Sequence, residues 1–141
     1  MAHVSTYINT LGRTEEAFEF YKSIFGGEFT DFMRMRDMDM GPTSQNMSEQ
    51  ELNAILHIEL PILGGHVLEG TDMLESLGHV LSKGNNFSIN LHPDSREEAD
   101  QLYNALAVGS PFAPGMTDMP WGAYWGSLED QFGIRWMINQ M

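Results

Sequence analysis

The sequence predicts an α+β protein of two βαβββ modules, with antiparallel sheets that carry their helices on one face. Two observations predict this fold class. The first is a weak internal repeat: residues 13–27 (RTEEAFEFYKSIFGG) and 95–109 (SREEADQLYNALAVG) share Glu-Glu-Ala, a tyrosine and a closing glycine. The second is that strand-like stretches precede and follow each copy. A repeat of this length indicates two related half-domains, since a solenoid has a much shorter period.

The first module is predicted to open with a strand at Val4–Ile8 and to continue into a helix. Thr14 is the expected N-cap of this helix, and two glutamates follow it in the first turn, where the helix dipole favours acids. Apolar side chains then recur at helical spacing until Gly26-Gly27 ends the helix. A strand at Glu28–Met35 is expected next. The polar segment Asp37–Gln50 is predicted to be a long loop that covers a cavity.

A β-hairpin is predicted at Asn53–Leu60 and His66–Gly70, because two alternating stretches flank a Gly-Gly turn. Successive side chains of a strand point to opposite faces of the sheet. The apolar set that starts at Ala54 is therefore expected under the helices. Ile55, His57 and Glu59 are expected on the other face, and Glu69 on the second strand joins them there.

The second module is predicted to repeat this order from a strand at Phe87–Leu91. Ser95 is the expected N-cap of its helix, and Glu98 three positions later fits a capping box. Residues 109–120 are expected to be mostly irregular, and the module ends in an antiparallel pair at Gly122–Leu128 and Ile134–Asn139.

These elements divide the chain into a first module at 1–72, a connector at 73–85 and a second module at 86–141, within one structural domain. A length of 141 residues suits one domain with a real core.

Composition excludes several classes of function. Seven basic against twenty acidic residues give a formal charge of −13, which would repel a nucleic acid. The absence of cysteine excludes disulfides and thiolate metal ligands. No apolar run approaches the about 18 residues of a membrane span, and Met1–Thr10 lacks the pattern of a signal peptide. We therefore expect a cytoplasmic protein with no membrane partner. No phosphate loop, nucleotide fingerprint or nucleophile elbow is present.

Three segments carry a resemblance to a known family: YINTLGRTEEAFEFYKSIFGGE at 7–28, LHIELPILGGHVLEGTD at 56–72 and WGAYWGSLEDQFGIRWMI at 121–138. They resemble the vicinal oxygen chelate superfamily of glyoxalase I, bleomycin-resistance proteins, fosfomycin-resistance proteins and extradiol dioxygenases, most closely its PhnB-like branch. The resemblance implies that each module is a curved sheet with its helix on the outer face. It also implies a homodimer that binds a small molecule in a cavity.

Metal-dependent members of this superfamily use one ligand from the first strand and one from the last strand of each module. Glu69 matches the last-strand position of the first module. The other three positions fall near Thr6, at Phe87 or Ser88, and at Met137, which are not usual ligands. The resemblance therefore implies a protein without the usual metal site, in which Glu69 is the single matching ligand.

The main hypothesis is a binding protein that takes a small cationic or aromatic ligand. Its candidate ligand-binding residues are His57, Glu59, Glu69, Trp125 and Arg135. Trp125 could stack on a flat or cationic ligand, and Arg135 could hold an anionic group. No catalytic residue is assigned.

Three alternatives stay open at the level of sequence. The first is a lyase, isomerase or transferase that uses a divalent metal at a displaced site around Glu69 and His57. In the second, His57 and Glu59 pair with a basic side chain such as Arg135 and catalyse nothing. The third is an acidic module that binds a basic protein, in which case complex formation would depend strongly on salt.

Overall fold

The computed structural model describes residues 1–39 and 41–141, with Thr43 described by its backbone only. The chain divides into two compact units, Met1–Ser82 and Lys83–Met141. The first unit thus contains 73–82 of the predicted connector, and the second contains 83–85. The module limits at 72 and 86 stay a prediction. Among the described residues, no helix is both long enough and apolar enough to cross a lipid bilayer.

The first unit is a four-stranded sheet with one long helix. Its strands are β1 (Thr6–Thr10), β2 (Asp31–Arg34), β3 (Ile55–Pro61) and β4 (Val67–Asp72), and its helices are α1 (Thr14–Phe25), α2 (Pro42–Gln45) and α3 (Glu49–Asn53). The strand order is β1-β4-β3-β2. β1 runs parallel to β4, and the other pairs are antiparallel.

The second unit repeats this arrangement with β5 (Ile89–Leu91), α4 (Arg96–Leu106), β6 (Thr117–Asp118), β7 (Tyr124–Glu129) and β8 (Arg135–Gln140). Its order is β5-β8-β7-β6, again with the first strand parallel to the last. The predicted α+β class and the double βαβββ order are confirmed. Each sheet is mixed, however. The helix connects the first strand to the strand at the far edge of the sheet, and two antiparallel strands then follow, so that the last strand lies parallel beside the first.

The two long helices begin in different ways. Thr14 is the first helical residue of α1 and does not cap it; its buried hydroxyl donates to Thr71 O at 2.9 Å. The prediction of Thr14 as N-cap is therefore wrong, because the helix begins one residue earlier than expected and Arg13 occupies the N-cap position without a side-chain cap. Ser95 caps α4 as predicted, and its Oγ accepts from Glu98 N at 3.0 Å. The Glu98 carboxylate returns to Asp94 N, one residue earlier than a capping box requires.

The predicted loop at 37–50 contains helix α2 and the start of α3. A capping box that the sequence reading did not use starts α3: Ser48 Oγ accepts from Glu51 N at 3.1 Å, and Glu51 Oε1 accepts from Ser48 N at 2.9 Å. Met40 of the predicted loop lies outside the described residues. In the second unit, the stretch predicted to be irregular at 109–120 contains the short strand β6.

A β-bulge in β3 changes one predicted side-chain direction. Met33 pairs with His57 but Arg34 pairs with Ile55, so Leu56 is an extra residue on β3. Ile55 is only 1% exposed and joins the core, although simple alternation placed it beside His57. The Ile55 amide donates to Asp72 Oδ2 at 2.8 Å.

Helix α1 covers one face of the first sheet and leaves the other face open. The contact is closest at Gly70, where an added Cβ would lie 2.6 Å from Phe18 Cε1 and 3.2 Å from Ile8 O. Phe18 is fully buried there. The absence of a side chain at Gly70 therefore allows the helix to reach the sheet.

Each unit contains a buried aspartate that accepts several hydrogen bonds. Asp72 Oδ1, at the end of β4, accepts from Thr14 N at 3.0 Å and from Thr10 Oγ1 at 3.2 Å, while its Oδ2 serves Ile55. This carboxylate ties the start of α1 to β1 and β3.

Asp130 lies in the turn between β7 and β8 and is fully buried. Its Oδ1 accepts from the amides of Phe132 at 2.8 Å and Ile134 at 3.0 Å. Its Oδ2 accepts from Trp136 Nε1 at 2.8 Å. The turn and the largest core side chain of the unit are thus fixed by one carboxylate.

Candidate functional site

Strand register brings four polar side chains into one row across the open face of the first sheet. Tyr7 on β1 pairs with Glu69 on β4, Glu69 pairs with Glu59 on β3, and Glu59 pairs with Asp31 on β2. His57 lies on the same face of β3, two residues before Glu59. We call His57, Asp31, Glu59 and Glu69 the His57 cluster.

The three carboxylates of the His57 cluster converge on one ring nitrogen. His57 Nε2 lies 3.4 Å from Glu59 Oε1, 3.5 Å from Glu69 Oε1 and 3.7 Å from Asp31 Oδ2. All four side chains are partly exposed, with His57 at 25%. The structure thus brings together three of the five candidate residues, His57, Glu59 and Glu69. The binding roles of His57, Glu59 and Glu69 stay predictions.

No Lys or Arg of the first unit neutralises the cluster among the described residues. The four basic side chains of this unit pair elsewhere, as Arg13–Glu16, Lys22–Glu28, Arg34–Glu15 and Arg36–Glu49. The unit holds four basic against thirteen acidic residues, a formal charge of −9. The open face therefore presents concentrated negative charge.

Tyr7 stands beside the cluster with its ring about half exposed. Its hydroxyl lies 3.4 Å from His57 Nδ1, and the two ring centroids are 5.8 Å apart. Partial burial raises the pKa of the Tyr7 phenol, and the Glu69 carboxylate raises it further. The phenol therefore remains protonated through neutral pH and can donate or accept a hydrogen bond.

We expect Tyr7 to ionise above the ordinary tyrosine pKa of 10.0. The folded state favours the neutral phenol over the phenolate. The stability that follows from this preference is complete below pH 10 and is lost as pH rises through the pKa of the folded state. The measurement is ultraviolet titration of the wild type minus Tyr7→Phe. Glu69→Gln should lower the pKa of Tyr7, since it removes a nearby negative charge. An unchanged Tyr7 titration in Glu69→Gln would contradict this arrangement.

The two remaining candidates lie on the sheet face of the second unit that α4 leaves uncovered. Trp125 pairs with Asn139, and Arg135 pairs with Glu129. Arg135 Nε and Asn139 Oδ1 are buried and have no hydrogen-bond partner among the described residues. Each unit thus carries polar groups on the sheet face away from its long helix. The binding roles of Trp125 and Arg135 stay predictions.

The residues at the usual metal positions of the resembled family do not form a ligand set. Thr6 Oγ1 is hydrogen-bonded to His66 Nε2 at 2.8 Å, which also gives His66 a structural role. At the second-module positions, Phe87 has no donor atom, Ser88 offers only a hydroxyl and Met137 only a thioether. Glu69 remains as the one matching position, so the usual site does not fit this chain.

A cavity of about 580 Å³ lies elsewhere in the first unit, at the ends of β2 and β4. Its charged wall includes Arg34, which the Glu15 carboxylate already holds by two hydrogen bonds of 2.9 Å. None of the five candidate residues lines this cavity. The candidate site is therefore the His57 cluster, whose side chains converge on one point.

Sequence reasoning missed Tyr7 and Asp31, which complete the row. Both come from strands that are distant in sequence from the predicted hairpin, and their register with it cannot be read from periodicity. A weak signal was present for Tyr7, which alternates with the buried Ile8 on an otherwise polar strand.

Comparison with known proteins gives matches over nearly the whole chain. Residues 3–138 match the family described as the Glyoxalase/Bleomycin resistance protein/Dioxygenase superfamily. Protein PA1353 from Pseudomonas aeruginosa is 26% identical, with a TM-score of 0.82 over 99% of this chain and 98% of that one. A Bacillus cereus PhnB protein, named a putative 3-demethylubiquinone-9 3-methyltransferase, is 22% identical, with a TM-score of 0.77 over 99% and 100%. Protein YjdN of Escherichia coli K12 is 22% identical over 96% of this chain and 93% of its own.

Proposed function

The chain belongs to the glyoxalase/bleomycin resistance protein/dioxygenase superfamily, and on that premise we propose that its first unit binds a small, positively charged molecule at the His57 cluster. The resemblance carried by the three sequence segments is confirmed, including the likeness to PhnB-like structures. One observation supports the ligand's charge. Three carboxylates face outward from adjacent strands, and no Lys or Arg of the unit pairs with them among the described residues.

The chemistry of the neighbouring side chains narrows the ligand class. The exposed ring of Tyr7 offers a face for a cation or a flat ring. Its neutral hydroxyl and His57 offer hydrogen bonds. An anionic ligand would meet repulsion from Glu59 and Glu69, and it would find no unpaired basic group in the described first unit. We therefore favour an aromatic or alkyl amine over a carboxylate or a phosphonate.

The test compares three probes of one shape: benzylammonium, benzyl alcohol and benzoate. With protein treated with EDTA, ligand-observed NMR should show binding in the order cation, neutral, anion. Glu69→Gln should weaken benzylammonium binding several-fold, because it removes one of the carboxylates that attract the probe.

The matched control is Glu19→Gln, which makes the same change in net charge at an exposed position of α1. It should leave benzylammonium binding unchanged. Equal binding of benzoate and benzylammonium, or equal losses in the two variants, would contradict a cation site at this face.

The convergence of His57 with Glu59 and Glu69 also favours a second candidate function. This is a divalent-metal-dependent lyase, isomerase or transferase whose site is displaced from the usual family positions. The proposed function also includes a homodimer, which family membership implies. A sedimented mass of twice 15.9 kDa is the expected result.

A further inference from the structure

We propose that His57, Glu59 and Glu69 together bind one divalent first-row metal ion, through Nε2 and the two Oε1 atoms. This inference rests on the proposed binding of cations at the His57 cluster, and it adds a metal ion as a second cation that the same carboxylates bind in place of an amine. It differs from the usual site of the family because all three ligands come from strands β3 and β4 of one unit. Only Glu69 is shared with the usual pattern.

The spacing of the donor atoms fits a metal ion. Ligand atoms at about 2.1 Å from a tetrahedral ion lie about 3.4 Å from one another. His57 Nε2 lies 3.4 Å from Glu59 Oε1 and 3.5 Å from Glu69 Oε1. One ligand atom from each of the three residues can be chosen so that all lie within 4.8 Å of one another.

Each of the three proposed ligands also has an atom that faces away from the proposed ion. A hydrogen-bonding group outside the cluster lies against that atom. The Tyr7 hydroxyl meets His57 Nδ1 at 3.4 Å. Ser5 Oγ donates to Glu69 Oε2, and Thr30 Oγ1 donates to Glu59 Oε2 at 3.3 Å. Each candidate ligand thus has one atom fixed by a neighbour and one directed at a common point. Outer hydrogen bonds of this kind orient the ligands of protein metal sites.

The charges of the cluster also favour the binding of a cation. Glu59 and Glu69 lie directly opposite each other on antiparallel strands, and like charges in that position destabilise a sheet. Asp31 adds a third carboxylate on the next strand. A divalent ion bound between these carboxylates would offset their repulsion. Relief of the repulsion would strengthen the binding of the ion.

The type of ligand indicates the type of metal. One imidazole with two carboxylates suits Zn²⁺, Mn²⁺ or Fe²⁺, and a chain without cysteine offers no thiolate to a softer ion. Three protein ligands leave at least one coordination position for water or for an oxygen atom of a small molecule.

The experiment is calorimetric titration of EDTA-stripped, dialysed protein with ZnCl₂ and, separately, with MnCl₂. We expect one ion per chain with a micromolar dissociation constant for at least one of the two metals. His57→Ala and Glu69→Gln should each weaken binding at least 100-fold. Tyr7→Phe should weaken it about tenfold, because it removes an outer hydrogen bond.

Matched controls separate this site from general charge and from other histidines. Glu19→Gln and His92→Ala change exposed residues outside the cluster and should retain wild-type affinity. Circular dichroism of every variant checks the fold, and the conservative Glu59→Gln provides a further site variant if His57→Ala does not fold.

Three outcomes would overturn the metal site: no saturable binding of either metal, wild-type affinity in both His57→Ala and Glu69→Gln, or equal losses in the controls. The first outcome together with retained benzylammonium binding would overturn the metal site and leave the proposed cation site standing. Loss of binding by both the metals and benzylammonium would overturn the two proposals together.

Discussion

Asp130→Ala is expected to lower the free energy of unfolding of the protein by about 4 kcal/mol. The substitution removes the carboxylate that accepts from two buried donors, the Phe132 amide and Trp136 Nε1, and from the part-buried Ile134 amide. Each unsatisfied buried donor costs about 1–3 kcal/mol. Urea denaturation, followed by circular dichroism and by tryptophan fluorescence, measures the change.

The control is Asp118→Ala, which removes an aspartate from an exposed ion pair with Arg96. Its side chain is 71% exposed, so solvent screens the ion pair and the expected loss is small. Asp130→Asn should fall between the two, since it keeps one oxygen as an acceptor. A loss in Asp130→Ala no larger than that in Asp118→Ala would show that the turn does not depend on this carboxylate.

Gly70→Ala is expected to destabilise the first unit by about 2 kcal/mol, within the range for overpacked cores. The new methyl group would lie 2.6 Å from Phe18 Cε1 and 3.2 Å from the Ile8 carbonyl oxygen, so the ring and the backbone must both move. The measurement is the midpoint of urea unfolding. Because Gly70 follows Glu69 on β4, the same variant should also weaken probe binding at the His57 cluster.

Gly84→Ala serves as the matched control for this substitution. A Cβ at Gly84 meets only Asn86 Oδ1, at an ordinary contact distance of 3.5 Å. The change should be neutral or slightly stabilising, because alanine loses less conformational freedom on folding. Equal stability of Gly70→Ala and Gly84→Ala would mean that α1 can shift from the sheet at little cost.

The fold could be predicted from sequence because its signals are local and occur twice. Helical spacing, glycine stops and the Ser95 cap are properties of short segments, and they locate α1 and α4 within a few residues. The parallel pairing of the first strand with the last could not be predicted in this way. It depends on where each strand returns in space, and not on the periodicity within any segment.

Only the part of the site that lies on one β-hairpin could be predicted from the sequence. Alternation along β3 and β4 placed His57, Glu59 and Glu69 on one face, and the structure brings them together. The same reasoning failed for Ile55, because the bulge at Leu56 breaks the alternation of side chains. A bulge adds one residue with no mark in the hydrophobic pattern, so the strand beyond it is read on the wrong face.

The two buried aspartates anchor their units at different places in the same order of elements. Asp72 lies at the end of the last strand of its unit, whereas Asp130 lies in the turn before the last strand of the other. All the hydrogen bonds of each carboxylate described here lie within its own unit. Loss of one aspartate should therefore loosen one unit and leave the hydrogen bonds of the other carboxylate in place.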